Sequence, residues 1–461
     1  MAATRSDALV FFGATGDLAF KKIFPALQAL AGAGKLDMPV VGVASSDWSD
    51  EALRDRARKS VEAHGSVETA AFARLAARLR YVQGDYRKGE TFERLRRALG
   101  DARRPLYYLA IPPGLFGTVA QGLADTGGAR GARVVVEKPF GRDEASARRL
   151  NGELHEHFPE EALFRIDHYL GKEPVQNLIY FRFANPLIEA AWDSQHIESV
   201  QITMAERFDV GGRGRFYEEV GAIRDVVQNH MLEVIACLAM ECPGSPRCEA
   251  RRDARSTLLK AVRALRPEDV RRGQYDGYRQ ERGVAADSPV ETFAALRFAI
   301  DNPRWQGVPF YVRVGKALAV TATEVLVRFK RPDRAVLAAG RRKIDHYCRF
   351  RLGPQVAIAL GAEVKKAGER MEGEPIELDA RHQPPDAMTP YERLLGDALD
   401  GDPTLFARED AVAASWRIVD PVVGNAVPLA PYARETWGPD AAQDLAPPGG
   451  WHNPSAEETS C

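Results

Sequence analysis

The first third of the chain predicts an α/β domain built on a doubly wound parallel sheet. Three observations support this prediction. Compact apolar runs that fit buried parallel strands recur at residues 9–12, 40–44, 106–111 and 133–137. An amphipathic segment follows the first run, with Ile23, Leu27 and Leu30 at helical spacing. Between them lies a glycine-rich turn, residues 13–19. Such alternation of strand and helix favours a parallel sheet with right-handed crossovers.

The glycine-rich turn predicts a dinucleotide site. Gly13 and Gly16 let the backbone turn tightly and approach a pyrophosphate, while Ala19 allows close packing of helix on strand. The spacing is G-x-x-G-x-x-A rather than G-x-G-x-x-G, so the glycines alone are weak evidence. Their position after the first strand of a βαβ unit is what supports a dinucleotide site. The residues expected to contact the coenzyme are Gly13, Ala14, Thr15, Gly16, Asp17 and Leu18.

The end of the second strand bears on the choice between NAD and NADP. An acid there typically binds the ribose hydroxyls of NAD, and an arginine binds the 2′-phosphate of NADP. This chain has Ser45 and Ser46, which offer only neutral hydrogen bonds. Lys21 or Lys22 could supply the missing charge. Asp47 either favours NAD by pointing inward or caps the next helix.

The segment 165–173, which follows an apolar run, is dense in ionisable and hydroxyl groups. We expect it where a buried strand leaves the sheet and a helix begins, a position that faces ligands. Asp167 can orient an imidazole. His168, Tyr169 and Lys172 are all donors and together suit a phosphate. We find no structural need that explains this density.

Composition sets the outer bounds. At 461 residues and 50.8 kDa, two domains are expected, at residues 1–174 and 175–461. With 63 basic against 64 acidic residues, no global field favours nucleic acid or an anionic membrane. No apolar stretch approaches the roughly 18–20 residues of a membrane span. Five sparse cysteines without zinc spacing predict reduced thiols and a cytoplasmic location, with no metal site.

Beyond residue 175 the strand–helix rhythm is lost. Strands are expected at 199–204, 293–299 and 310–314, and a helix at 223–230. On an α-helix, Asp225 and His230 would be separated by about 140°, so we expect different roles for them. The basic run 247–255 predicts a solvated loop or helix face.

Five motifs in the same order resemble those of the glucose-6-phosphate dehydrogenase family, between residue 9 and about residue 325. The segment 165–173 resembles the family's substrate-binding signature. The glycine-rich turn, followed by Lys21, Lys22 and Pro25, is similar to its coenzyme loop. The other three are Glu137-Lys138-Pro139-Phe140-Gly141, the helix with Asp225 to His230, and Gly315-Lys316-Ala317-Leu318.

The resemblance implies roles for particular residues. His230 would be the general base for the C1 hydroxyl proton, with Asp167 orienting it and stabilising the imidazolium. Lys138 would reach between the C1 hydroxyl and the nicotinamide. The remaining sugar contacts implied are Glu206, Asp225 and Lys316. Near Thr321 the family usually has a basic residue that reaches the phosphate.

The resemblance also implies an activity and an architecture. The implied reaction is oxidation of β-D-glucose 6-phosphate at C1 to the 6-phosphogluconolactone, with hydride transfer to NADP. NAD stays open because Ser45 stands where the family commonly has an arginine. The second domain would be a larger α+β domain with an extended, mostly antiparallel sheet, on which a homodimer or homotetramer could form. Two alternatives are a related dehydrogenase for an altered or unphosphorylated sugar, and a regulator that binds coenzyme without catalysis.

Overall fold

The computed structural model of the chain describes residues 5–331, 346–368, 372–381 and 388–456. These residues form two compact units. The first unit comprises Met1–Lys172, Pro243–Ser256 and Met388–Ala413. The second comprises Glu173–Cys242, Thr257–Ala387 and Ala414–Cys461.

A parallel six-stranded sheet forms the centre of the first unit. Its strands are β1 Ala8–Phe12, β2 Val40–Ala44, β3 Leu79–Gln83, β4 Pro105–Leu109, β5 Arg133–Glu137 and β6 Leu163–Ile166. They lie in the order β3-β2-β1-β4-β5-β6, and every neighbouring pair is parallel. Every residue of β1, β2 and β4 is buried, as expected for strands covered on both faces. The predicted doubly wound sheet is confirmed.

Helices connect these strands. In chain order they are α1 Phe24–Gly32, α2 Asp50–His64, α3 Thr69–Arg78, α4 Gly89–Leu99, α5 Phe116–Asp125 and α6 Glu144–His155. Side chains define two of the starts. The Ser49 hydroxyl accepts a hydrogen bond from the Ala52 N–H at the start of α2, and Asp143 forms a capping box with Ser146 at the start of α6.

The second unit is built on a nine-stranded sheet. Its strands are β7 Ile197–Ala205, β8 Val270–Tyr275, β9 Phe293–Phe298, β10 Phe310–Gly315, β11 Ala322–Phe329, β12 Tyr347–Gly353, β13 Ala357–Lys365, β14 Gly373–Arg381 and β15 Leu429–Tyr432. The order is β14-β13-β12-β11-β7-β10-β9-β8-β15. Six of the eight pairings are antiparallel, and β7/β10 and β8/β15 are parallel. The mostly antiparallel extended sheet is therefore confirmed.

The remaining α-helices are α7 Glu173–Ala184, α8 Pro186–Ala190, α9 Gly214–Ala222, α10 Leu232–Ala239, α11 Cys248–Ala261, α12 Pro390–Asp400 and α13 Glu409–Val419. Helix α11 corrects one prediction. Arg252 and Arg255 of the basic run are buried, so the run is not simply a solvated face. Arg252 contacts Glu249 and Glu160, and Arg255 donates to the carbonyls of Thr404 and Phe406.

The described residues also contain short helical segments of other types. Short 3₁₀ turns occur at Pro113–Leu115, Glu160–Ala162, Pro267–Asp269, Tyr278–Gln280, Asp420–Val422 and Asp440–Leu445, and π-helical segments at Ala19–Ile23 and Ile223–Met231. Within the ranges that the structure describes, no helix has the length and apolarity that crossing a membrane requires. Among the described residues, Cys237, Cys242, Cys248 and Cys348 form no disulfide.

Candidate active site

The glycine-rich turn leaves β1 at the carboxyl edge of the parallel sheet. Gly13 has a φ of +83°, which glycine adopts without strain. Its N–H donates to the Val43 carbonyl at 2.9 Å and to the Tyr86 hydroxyl at 2.9 Å. A Cβ at position 13 would overlap the Ala110 carbonyl oxygen and lie 2.9 Å from the carbonyl carbon. The turn is therefore wedged between the ends of β2 and β4, where a side chain has no room.

The rest of the turn leads directly into a helical segment. The Gly16 N–H donates to the Gly13 carbonyl at 2.9 Å. Thr15 accepts a hydrogen bond from the Ser46 hydroxyl at 3.3 Å, while Ala14 is buried. Asp17 forms an exposed ion pair with Lys21 at 3.2 Å. Leu18 is the cap residue of the π-helical segment Ala19–Ile23. The start of a helical segment is the kind of place where backbone N–H groups bind a pyrophosphate.

Ser45 and Asp47 are exposed at the end of β2. The cap of α2 is Ser49, so the interpretation of Asp47 as a helix cap is wrong. A serine two residues later performs that role because its hydroxyl lies within reach of the Ala52 N–H. The loop that follows β3 lines a cleft together with Ser45.

Lys138 directly follows β5 at the same edge of the sheet. Its neighbour Glu137 accepts a hydrogen bond from the Tyr108 hydroxyl, and Tyr391 also hydrogen-bonds to it. Removal from water raises the pKa of Glu137 to about 7, against the opposing effects of these two tyrosines and Lys138. A carboxylate that titrates near neutral pH at a ligand-facing edge was not predicted. The sequence offered only its place in the Glu-Lys-Pro motif as a signal.

The segment Asp167–Lys172 forms tight turns directly after β6. Asp167 is buried and accepts a hydrogen bond from the Tyr169 N–H at 2.9 Å. The Lys172 ammonium lies 3.8 Å from the centre of the buried Tyr169 ring. The His168 ring stacks near Tyr391, with 6.4 Å between ring centroids. The three expected phosphate donors are thus brought together within the first unit.

Arg165, in the same motif, has a structural role that corrects the sequence analysis. The guanidinium is buried and donates to both carboxylate oxygens of Glu160 at 2.8 and 2.9 Å. It also donates twice to the Asn151 side-chain oxygen, at 3.2 and 3.0 Å. Arg165 is therefore held by hydrogen bonds to other side chains of the first unit.

In the second unit, Glu206 and Lys316 lie side by side. They follow β7 and β10, which are parallel neighbours with Ala205 opposite Gly315. The Lys316 ammonium is 2.5 Å from a Glu206 carboxylate oxygen and 4.8 Å from the centre of the Phe208 ring. Lys316 is buried, and the next residue, Ala317, has a positive φ of 51°. Such strain at a non-glycine residue is common at functional sites.

His230 and Asp225 lie on the π-helical segment Ile223–Met231. A π-helix hydrogen-bonds residue i to i+5. The two side chains are therefore about one turn apart on one side of the segment, and the separation of about 140° predicted for an α-helix is wrong. Just before the segment, Gly221 has a φ of +62°, and a Cβ there would lie 2.6 Å from a Glu291 oxygen. His230 is buried, with 2% of its surface exposed.

Three of the expected sugar-binding groups belong to one region of the second unit. Burial raises the pKa of Tyr217 well above its usual range, and the carboxylates of Asp225 and Glu206 add to that effect. The Tyr217 ring also lies 5.9 Å from the Lys316 ammonium. Thr321, by contrast, uses its hydroxyl oxygen to accept a hydrogen bond from the Arg207 N–H at 3.0 Å.

The strand order of the first unit, with a glycine turn at the carboxyl edge of β1, defines a dinucleotide-binding oxidoreductase fold. Comparisons with known proteins specify the family. The model of the glucose-6-phosphate dehydrogenase NAD-binding domain matches residues 10–177, and that of the C-terminal domain matches residues 179–452.

Individual relatives agree with the family models. The chain is 43% identical over 453 residues to glucose-6-phosphate 1-dehydrogenase 1 of Mycobacterium tuberculosis, covering 97% of each chain. A crystal structure of the Mycobacterium avium enzyme matches with a TM-score of 0.92 and 42% identity, over 99% of this chain and 100% of that one. A glucose-6-phosphate dehydrogenase in complex with glucose-6-phosphate matches with a TM-score of 0.89 and 34% identity, over 99% and 100%. The chain belongs to the glucose-6-phosphate dehydrogenase family.

Proposed function

We propose that this chain oxidises β-D-glucose 6-phosphate at C1 to 6-phospho-D-glucono-1,5-lactone, the first step of the pentose phosphate pathway. The observation that carries the proposal is the match over 99% of the chain to a relative solved with glucose-6-phosphate. The arrangement of titratable groups in each unit supports it, since the candidate base His230, the candidate phosphate donors and the glycine turn each lie in a defined local structure.

The base is His230. Its burial on the π-helical segment keeps water from competing for the proton of the C1 hydroxyl. An imidazole nitrogen can accept a proton and so can act as a general base. Asp167 is proposed to orient the imidazole and to stabilise the imidazolium after the proton has moved. Bound NAD(P) would supply the acceptor for the C1 hydride, and loss of that hydride and of the hydroxyl proton would leave C1 as the lactone carbonyl.

The 6-phosphate is proposed to lie against His168, Tyr169 and Lys172. The Tyr169 ring is buried and places the Lys172 ammonium 3.8 Å from its centre, which limits the positions the charge can take. The His168 imidazole, the Lys172 ammonium and the Tyr169 hydroxyl would then all donate to the same phosphate.

The sugar hydroxyls are proposed to contact the side chains of the second unit. Glu206 and Lys316 form an ion pair whose remaining donors and acceptors can bind adjacent hydroxyls. Asp225 adds an acceptor, and Lys138 is proposed to reach both the C1 hydroxyl and the nicotinamide. Thr321 is proposed as a neutral contact to the phosphate in place of a cation.

The coenzyme site is proposed to be the turn from Gly13 to Leu18, with Ser45 beside the adenosine ribose. NADP is the proposed coenzyme, and NAD is accepted as well because Ser45 carries no charge. We further propose that the enzyme acts in the cytoplasm as a homodimer or homotetramer. The extended sheet would provide the subunit contact, since β13 and β14 expose Val364 and Leu378.

Initial rates test this function. Turnover is measured with glucose 6-phosphate and with glucose, each with NADP and with NAD, by the absorbance of the reduced nicotinamide. We expect kcat/KM to be far higher for glucose 6-phosphate. Preference for glucose would favour the alternative of an unphosphorylated substrate. No reduced coenzyme with either sugar would favour the non-catalytic regulator and overturn the proposal.

A further inference from the structure

A cleft of about 400 Å³ lies at the carboxyl edge of β2 and β3 in the first unit. This volume falls within the roughly 300–1,000 Å³ of typical ligand pockets. The cleft is lined by Ser45, Gly84, Asp85, Tyr86, Arg87 and Leu115. In an open parallel sheet, the adenosine ribose of a dinucleotide lies beyond the end of the second strand. Because β3 is the parallel neighbour of β2, the loop after β3 borders the same place.

Hydrogen bonds hold this loop in a defined position. The Gly84 N–H donates to the Ala44 carbonyl at 2.8 Å, which joins the ends of β3 and β2. The Tyr86 hydroxyl donates to the Val43 carbonyl at 3.0 Å and accepts from the Gly13 N–H. One tyrosine therefore connects the loop to β2 and to the glycine turn. The loop and the coenzyme turn form a single hydrogen-bonded structure.

Arg87 is the cation of this loop. Its Nε and Nη2 donate to the two oxygens of Asp85, each at 3.0 Å. The backbone N–H of Arg87 also donates to Asp85, at 3.0 Å. Asp85 does not engage Nη1, and 76% of the Arg87 side chain is exposed. The guanidinium is thus oriented at the rim of the cleft and still has donors for an anion.

We propose that Arg87 binds the 2′-phosphate of NADP, so that the charge missing at Ser45 is supplied from the loop after β3. The inference rests on the proposed function, because it deepens the coenzyme site of that reaction. A guanidinium suits this role because its planar fork matches a phosphate. The Asp85 carboxylate, which is hydrogen-bonded to this guanidinium, would accept a hydrogen bond from the free 2′-hydroxyl of NAD. The same loop could therefore bind either coenzyme.

The other cations near the turn are less well placed. Lys21 is paired with Asp17 at 3.2 Å on the π-helical segment. Neither Lys21 nor Lys22 lines the cleft that contains Ser45. Both also follow the glycine turn rather than β2 or β3. Arg87 is therefore preferred to either lysine as the group that recognises the 2′-phosphate.

The test measures equilibrium binding of NADPH and NADH by fluorescence titration, which needs no sugar and no turnover. The variants are Arg87→Ala, Ser45→Arg/Arg87→Ala and the control Arg94→Ala, an exposed arginine on α4. Arg87→Ala should weaken NADPH binding by at least about tenfold at low salt, as loss of a charge-assisted contact does, and leave NADH binding unchanged. The double variant should regain NADPH affinity, and the control should match wild type.

Two results would overturn the inference. Equal losses for NADPH and NADH would mean that Arg87 supports the loop without recognising the 2′-phosphate. Unchanged NADPH binding in Arg87→Ala would exclude Arg87 outright. Failure of the proposed sugar oxidation is a separate observation, since it would appear as absent turnover with either coenzyme while the binding titrations stay readable.

Discussion

Replacing Gly13 by alanine tests whether the coenzyme turn has room for a side chain. The cost of the collision is measured beyond the cost of a left-handed φ alone. A left-handed φ costs an L-residue roughly 1–2 kcal/mol. At position 13 the new Cβ would also collide with the Ala110 carbonyl, which belongs to rigid backbone beyond β4. Overpacking of this kind adds roughly 1–3 kcal/mol. The free energy of unfolding should therefore fall by about 2–5 kcal/mol in Gly13→Ala.

Gly34→Ala is the matched control. Gly34 has a φ of +71°, and a Cβ there would meet nothing within 4 Å. This variant should lose only the backbone strain of about 1–2 kcal/mol. Both variants are compared by chemical denaturation, which gives the free energy of unfolding in water from the linear dependence on denaturant.

Coenzyme affinity provides the second readout. If the turn cradles the pyrophosphate, displacing it should weaken NADPH binding by about tenfold or more in Gly13→Ala, as loss of one charge-assisted hydrogen bond does. Gly34→Ala should bind as wild type does. Equal losses of stability in the two variants would contradict the steric argument, and wild-type NADPH affinity in Gly13→Ala would refute the coenzyme role of the turn.

Four further variants test the rest of the account. His230→Asn should lower kcat by roughly 10²–10⁴ and leave KM for the sugar nearly unchanged, because it removes only general-base catalysis; a variant with more than about a tenth of wild-type kcat would end the assignment. Lys172→Ala should raise KM for glucose 6-phosphate by about tenfold or more and barely affect any turnover of glucose, and equal losses would show that the lysine does not recognise phosphate. Ser45→Arg should shift the ratio of kcat/KM values toward NADP by about tenfold or more, while an unchanged ratio would remove Ser45 from the ribose site. Burial raises the pKa of Glu137 from 4.5 to about 7, so its contribution to stability is present below the unfolded value and is lost as pH rises through about 7. Glu137→Gln does not titrate and so does not lose this stability. The free energy of unfolding of the variant minus that of wild type should therefore increase by up to about 3 kcal/mol between about pH 5 and pH 8. If this difference does not change with pH, the raised pKa is contradicted.

The parallel sheet could be predicted from the sequence because its strands are buried on both faces. Such strands have continuous apolar sequences, and Val40–Ala44 is an example. The glycine turn could also be predicted, because the glycine motif directly follows the apolar run of β1. The segment Asp167–Lys172 was located correctly after β6, although Arg165 proved structural.

Other features depend on tertiary structure and have no local signal. Glu206 and Lys316 become neighbours only because β7 and β10, about a hundred residues apart, pair in parallel. The helix at 223–230 was predicted, but its π-helical form was not, because hydrogen bonding from residue i to i+5 leaves no local signal in this sequence. The bond from Gly13 to Tyr86 joins two loops that share no sequence pattern.

The central claim is that hydride leaves C1 of glucose 6-phosphate for the nicotinamide. Glucose 6-phosphate that carries deuterium at C1 tests it directly, with mass spectrometry of the reduced coenzyme and of the sugar product. We expect the deuterium to appear on the reduced nicotinamide and the product to be the lactone without it. Deuterium that stays on the sugar, or that is lost to water, would contradict the proposed reaction.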